Sequence, residues 1–181
     1  MATHARWAFL ALLPLAACNT NTTNPMGSTV PMPAPAVAAT STQDQNFLLQ
    51  ASESGGFEVA SARLAVERAR RPAVRAYAQR LLDAHTAQTQ RLTTLAGQKG
   101  VSLPGGLEPV QERAFADLRD TTGNFDQAFV TAQIASHQRA IATFQAEADN
   151  GRDPDLKGFA QQGLPDLRNH MAIAQRLRGG R

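Results

Sequence analysis

The sequence predicts an all-α protein in which four long helices form a bundle and a short extra helix lies in the crossover between the second and third of them. Three observations support this fold class. From Asp44 onward the chain is dominated by Ala, Leu, Gln, Glu and Arg, the residues that tolerate an α-helix best. No stretch shows the sustained alternation with β-branched residues that is typical of a strand. Four long segments each carry one apolar stripe, which only neighbouring helices can bury.

Prolines and glycines set the expected helix boundaries. Proline suits the first position of a helix and disfavours helix in the residue before it, so Pro72 and Pro154 should each begin a helix. Gly100 and Gly151 are good C-terminal stops, and Pro165 should kink the last helix rather than end it. The expected helices are 44–70, which contains a Gly-Gly pair, 72–99, the short 109–121, 124–150 and 154–178. They make one domain of residues 44–178, followed by a tail of residues 179–181.

The composition excludes several classes of protein. The chain has 181 residues and a formal net charge of +3, with 18 basic residues mixed among 15 acidic ones. So small an excess does not indicate a nucleic-acid-binding protein, and no nucleic-acid partner is expected. The single cysteine excludes a disulfide framework and a cysteine-rich metal site. No Ser-His-Asp arrangement or phosphate-binding glycine loop is present.

Residues 1–17 are expected to be a lipoprotein signal peptide. Arg6 precedes an apolar run that contains Pro14 and falls far short of the roughly 20 residues needed to span a bilayer. Residues 15–18 read Leu-Ala-Ala-Cys, which resembles the cleavage box of bacterial lipoproteins. The resemblance implies that Cys18 is lipidated, and Asn19 then favours the outer over the inner membrane. The alternative is an ordinary signal peptide that leaves Cys18 as a free thiol.

Residues 18–43 are expected to be the lipidated cysteine and a disordered tether rich in Pro, Thr and Ala. Residues 19–43 carry no charged side chain and four prolines, so they cannot bury enough apolar area to offset the entropy of ordering. A flexible segment of this length reaches about 25–30 Å on average. The tether would hold the folded domain off a membrane surface, on the periplasmic side of the cell envelope.

Three histidines follow the signal peptide, and each lies in a different long helix. His85, His137 and His170 are flanked at offsets of three, four and seven by mainly apolar residues, which places them on the apolar stripes. Glu58 takes a similar position on the first helix, although Val59 could face inward instead. At 1.5 Å per residue all four lie roughly 20–27 Å from the turn of their own hairpin, near mid-bundle. One carboxylate and three imidazoles facing a common axis could bind one divalent transition metal.

A metal-free interpretation of the same residues stays open. A histidine on an apolar stripe is commonly a buried residue that is hydrogen-bonded to a carbonyl or a polar side chain. Gln133 and Asp166 stand four residues before His137 and His170 and could orient those rings behind a metal site. They could equally belong to a polar network that fixes the register of the helices.

An ordered series of motifs runs through residues 44–178. It includes Gly55-Gly-Phe-Glu58, Arg71-Pro-Ala-Val74, Leu82-Asp-Ala-His85, Gly151-Arg-Asp-Pro154 and Leu164-Pro165. This series resembles the bacterial ferritin-like family labelled "domain of unknown function 4142". The resemblance implies a ferritin-like four-helix bundle in exported proteins, and it implies no settled biochemical activity.

The sequence departs from the di-iron proteins of ferritin-like fold. Those proteins carry a Glu on each of two helices and a Glu-x-x-His motif on each of the other two. Here the residues three positions before the histidines are Leu82, Ile134 and Leu167. The dinuclear carboxylate site is missing, so di-iron oxidation chemistry is not expected.

The expected function is that of an envelope lipoprotein whose helical head is a non-enzymatic binding or stress-associated module, with the candidate metal ligands named above. The alternative is a metal-free structural or interaction protein, and a metalloenzyme is the weakest hypothesis.

Expected partners are a membrane, through the lipid anchor, and envelope proteins or anionic polymers. An arginine cluster near the first turn is either a basic patch for such polymers or a solvated surface. It consists of Arg63, Arg68, Arg70, Arg71, Arg75 and Arg80.

Overall fold

The computed structural model describes residues 40–180, and this part of the chain is entirely helical apart from its turns and connections. The helices are α1 (Thr42–Arg68), α2 (Pro72–Gln98), α3 (Pro109–Arg119), α4 (Phe125–Asn150) and α5 (Pro154–Gly179). The fold class is confirmed: a four-helix bundle with a short extra helix in the long crossover. None of the described helices combines the length and the hydropathy that a bilayer span requires. The expected signal peptide, Cys18 and the part of the expected tether before residue 40 lie outside the described residues. The last two residues of that tether, Thr42 and Gln43, are helical and belong to α1.

The helix boundaries agree with the expected ones to within two residues, and capping explains the earlier start of α1. α1 begins at Thr42 rather than Asp44 because Ser41 is the N-cap: Ser41 and Asp44 form a capping box in which each side chain accepts from the other's backbone N–H. α3 ends at Arg119, two residues earlier than expected. The last helix continues through Pro165, as predicted.

The helices form two antiparallel hairpins, α1–α2 and α4–α5, which pack on each other mainly through α1 and α4. A buried aspartate near the start of each hairpin holds the turn of the other. Asp126 of α4 accepts from the backbone N–H groups of Arg70 (3.0 Å) and Arg71 (2.8 Å). Asp44 of α1 accepts from those of Arg152 (2.8 Å) and Asp153 (3.2 Å). We call these two sets of contacts the turn staples.

Three of the six arginines in the predicted cluster donate hydrogen bonds to backbone carbonyls of the bundle. Arg68 donates to the backbone carbonyls of Arg119 and Thr121, and its guanidinium lies over the Phe125 ring. Arg71 donates to the carbonyl of Leu177, and Arg75 to that of Ala69. These guanidinium groups satisfy carbonyls at helix ends, which have no partner within their own helix.

The core consists of two apolar clusters separated by one polar layer. The cluster nearer the α1–α2 turn includes Ala65, Val74, Leu81, Phe129, Ile134 and Ala174. The cluster nearer the α4–α5 turn includes Phe47, Leu92, Phe144, Leu156 and Leu167. On every long helix, one of the four candidate ligands lies between the two clusters. The layer therefore lies at mid-bundle, at the level that helix rise predicts.

Glu147 is a second buried carboxyl group, close to the α4–α5 turn. Its side chain is inaccessible to solvent, its Oε2 accepts from Gln43 Nε2 at 3.1 Å, and its Oε1 has no hydrogen-bond partner. Burial raises the pKa of Glu147 from 4.5 to about 7, and the neighbouring Asp44 carboxylate contributes to the shift.

Replacing Glu147 with glutamine is expected to stabilise the bundle above pH 7. Because the folded state binds the Glu147 proton more tightly than the unfolded chain does, protonation of Glu147 adds to the free energy of unfolding. This contribution is complete below about pH 4.5 and is lost as the pH rises through about 7. The gain at pH 8 should be on the order of 1 kcal/mol. Urea unfolding between pH 5 and pH 8 measures it. An identical pH slope in the original protein and in Glu147→Gln would contradict this assignment.

Candidate metal centre

The polar layer brings the four predicted ligand residues together. Each comes from a different long helix, and none is more than 5% exposed. The three imidazole centroids are 5.3–5.6 Å apart. One ring nitrogen from each of His85, His137 and His170 lies within 4.8 Å of the other two. Because tetrahedral coordination at about 2.05 Å places ligand nitrogens about 3.4 Å apart, the rings would need to close by roughly an ångström around an ion.

Glu58 lies beside the Nδ1 atoms of two of the three rings and accepts a hydrogen bond from one of them. His85 Nδ1 donates to Glu58 Oε2 at 2.9 Å, and His137 Nδ1 lies 3.5 Å from Glu58 Oε1. Ser136 Oγ donates to the same Oε1 at 3.0 Å. The carboxylate therefore has the contacts of a group that orients imidazoles from behind, as carboxylates do next to metal-binding histidines.

The hydrogen bonds of the Nδ1 atoms fix the tautomers of two rings. His85 Nδ1 faces two acceptors, Glu58 and the Oε1 of Gln88 at 3.1 Å, and His137 Nδ1 donates to the carbonyl of Gln133 at 2.9 Å. Both Nδ1 atoms therefore carry hydrogen, and in the neutral rings the Nε2 atoms are left as acceptors. His85 Nε2, His137 Nε2 and His170 Nδ1 are buried without a hydrogen-bond partner.

The charges of the layer separate it into one ion pair and two neutral rings. Burial alone would raise the pKa of Glu58, but the nearby His85 and His137 lower it to about 2. Burial alone would lower the pKa of His85, but the Glu58 carboxylate outweighs it and the pKa is raised. Burial lowers the pKa of His137. Burial also lowers the pKa of His170, to about 4, and the charge of His85 adds to this second shift. His137 and His170 are thus neutral at pH 7, the form that binds a metal, whereas His85 has to release its Nε2 proton when it binds an ion.

Gln133 and Asp166, the two residues predicted to orient histidines, occupy different places. Gln133 is buried and holds His137 through its backbone carbonyl, whereas its side-chain Nε2 donates to Ser61 Oγ at 2.8 Å. Asp166 is exposed, and no hydrogen bond joins it to His170. Ser136 and Ser61 were missed by sequence reasoning, because a serine beside a helical stripe gives no signal of its own.

Two cavities flank the layer. The α2–α5 cavity has a volume of about 240 Å³ and reaches His85 and His170. The α1–α4 cavity, about 160 Å³, reaches Ser136 on the opposite side, behind Glu58.

Comparisons with known proteins give a family and a fold. The family described as "Domain of unknown function (DUF4142)" matches residues 29–177. A crystal structure of a DUF305 fragment from Deinococcus radiodurans superposes with a TM-score of 0.68 at 19% identity, covering 77% of this chain and 97% of that one. A structure described as CopM in the Cu(II)-bound form superposes with a TM-score of 0.65 at 16% identity, covering 75% and 95%. No curated protein matches the chain.

Proposed function

The chain belongs to the family of unknown function DUF4142, and from this premise we propose that it is a non-enzymatic envelope lipoprotein whose bundle binds one divalent transition-metal ion at His85, His137 and His170. In this proposal Glu58 orients the rings rather than completing the ligand set. The ion would be a reversibly bound cargo or a stress-related ligand, since the described layer lacks the paired carboxylates of di-iron proteins.

Two observations carry the proposal: three imidazoles from three helices each offer a ring nitrogen within 4.8 Å of the other two, and each of these rings has a buried nitrogen without a hydrogen-bond partner. A buried polar atom without a partner costs about 1–3 kcal/mol, so one in each of three neighbouring rings needs a reason. A metal ion is a partner that can bind all three at once. Imidazoles suit Zn²⁺, Cu²⁺, Ni²⁺ and Fe²⁺. The Cu(II)-bound state described for the CopM structure supports including Cu²⁺ among the ions tested.

We expect Zn²⁺ or Cu²⁺ to stabilise the purified chain. An ion that binds only the folded state stabilises it by about 2.7 kcal/mol at one hundred times its Kd. His170→Ala should abolish this gain, because it removes one ligand and leaves the Glu58–His85 pair intact. The matched control is Leu167→Ala, one helical turn away, which should destabilise the protein yet keep the metal response.

Thermal unfolding with and without each ion, together with metal analysis after gel filtration, measures both effects. Both should be made in a Cys18→Ser background so that the thiol does not bind the ion. Less than about 0.1 metal per chain, with no melting shift for Zn, Fe, Cu or Mn, would contradict the metal-binding proposal.

A second candidate function is favoured by the hydrogen bonds around Glu58. The carboxylate already accepts from two donors, His85 Nδ1 and Ser136 Oγ, without any ion, and Gln133 joins α4 to α1 through Ser61 in the same layer. Such a network can serve to fix the register of the helices in a metal-free structural or interaction protein. It leaves one buried nitrogen of each imidazole without a partner, which is why metal binding is preferred.

The envelope location is proposed from the signal sequence and Cys18. Two or more acyl chains anchor a protein stably, so replacing Cys18 with serine should release it from the membrane fraction. Fractionation of cells that express the original and the Cys18→Ser chain measures the change. A variant that stays in the membrane fraction would contradict the lipid anchor.

A further inference from the structure

The α2–α5 cavity connects the nitrogen cluster with the surface. Its lining becomes more buried inward: Arg91, Gln162 and Asp166 are exposed, Gln88 is partly buried, and His85 and His170 are buried. The cavity thus has a polar, charged mouth and an imidazole floor. Asp166 also lines the adjoining surface groove between α2 and α5, which places it at the outer edge.

The cavity is large enough for a partly hydrated ion. Its volume is about 240 Å³, whereas a water molecule takes up about 30 Å³ of liquid. A divalent cation can therefore pass through it with several waters and exchange them one by one for protein ligands. The polar side chains of the lining offer the ion oxygen and nitrogen ligands during this exchange, beside apolar walls formed by Ala84, Phe159 and Leu167.

The other directions are less suitable for a cation in the described residues. The two apolar clusters close the layer above and below. On the α1–α4 side, the Glu58 side chain blocks the approach of an ion to the rings. The imidazole atoms that face Glu58 are Nδ1–H groups, which cannot bind a metal.

We propose that the α2–α5 cavity is the access route of the metal ion, and that the Asp166 carboxylate binds the incoming hydrated divalent cation before the imidazoles do. This inference rests on the metal-binding function proposed above. A carboxylate at the mouth attracts a cation and exchanges for its outer waters, whereas the guanidinium of Arg91 at the same mouth repels it. Asp166 therefore sets the rate of binding and is not a ligand of the bound ion.

A group that binds the ion only while it passes through the cavity changes the association and dissociation rate constants by the same factor, because the ion leaves by the route by which it enters. In Asp166→Asn, the association rate constant should fall about three- to tenfold, with a similar fall in the dissociation rate, so the Kd stays within about twofold. Arg91→Gln should raise the association rate. Both effects should shrink at high salt, because the interaction at the exposed mouth is screened.

The matched control is Asp83→Asn. Asp83 is also an exposed aspartate, lies on α2 two residues from His85, and does not line the cavity. Its replacement makes the same change in net charge, so it measures the effect of overall charge alone.

Stopped-flow mixing of the purified Cys18→Ser chain with Co²⁺ or Cu²⁺, followed by the visible absorption of the bound ion, gives the rates, and equilibrium titration gives the Kd. Equal slowing in Asp83→Asn and Asp166→Asn would overturn the route, as would an unchanged association rate in Asp166→Asn. A weaker Kd caused by faster dissociation would make Asp166 a resident ligand and also overturn it. If the original chain binds neither ion, the proposed function itself fails.

Discussion

Replacing Glu58 with alanine is expected to destabilise the bundle by roughly 3–5 kcal/mol, the largest loss expected from any single side chain of the layer. The substitution leaves the His85 imidazole buried without its counter-charge and Ser136 without its acceptor. Much of the cost comes from desolvating the groups left behind, rather than from the strength of the lost contact. Urea unfolding at pH 7 measures it.

The double variant Glu58→Leu/His85→Leu separates stability from function. Replacing a buried ion pair with apolar residues of similar size is often neutral or stabilising, so this variant should recover most of the loss. It should also lose the stabilisation by Zn²⁺ or Cu²⁺, since one ligand is gone. A double variant as unstable as Glu58→Ala would show that the loss of stability in Glu58→Ala does not come from breaking the ion pair.

Removing either turn staple should cost roughly 2–4 kcal/mol, the second large effect. Asp126→Ala leaves the N–H groups of Arg70 and Arg71 without acceptors, and Asp44→Ala does the same to those of Arg152 and Asp153. Hydrogen bonds to a charged group contribute about 1.5–3 kcal/mol each, and part of the lost bonding is replaced by water. Urea unfolding measures both variants.

Asp117→Ala is the control for the staples. Asp117 is an exposed aspartate of α3, and its side chain makes no hydrogen bond in the described structure, so its replacement should change stability by less than about 0.5 kcal/mol. Losses in Asp44→Ala and Asp126→Ala no larger than the loss in this control would contradict the role given to the staples.

The sequence predicted the fold and the level of the polar layer well because both depend on spacing. Pro72 and Pro154 begin helices, and Gly151 ends one, for reasons local to the backbone. The heights of His85, His137 and His170 follow from helix rise, and the apolar stripe determines the face on which each lies.

The sequence could not predict which atom each side chain offers. Helical periodicity places Glu58 in the layer, but only the packed geometry shows that it accepts from His85 Nδ1 and lies near His137 Nδ1. In the same way, Gln133 is at the predicted offset and uses its backbone carbonyl instead of its amide. These choices depend on side-chain rotamers, which are decided by neighbours from other helices.

The turn staples also have a consequence for how the molecule opens. Amides at a helix turn ordinarily fray first and exchange their hydrogens with water quickly. Here the amides of each turn are held by a buried aspartate of the opposite hairpin, so neither turn can open alone while the hairpins remain docked. We therefore expect the amides of these two turns to exchange only when the two hairpins separate, so that opening of either turn is coupled to undocking of the bundle.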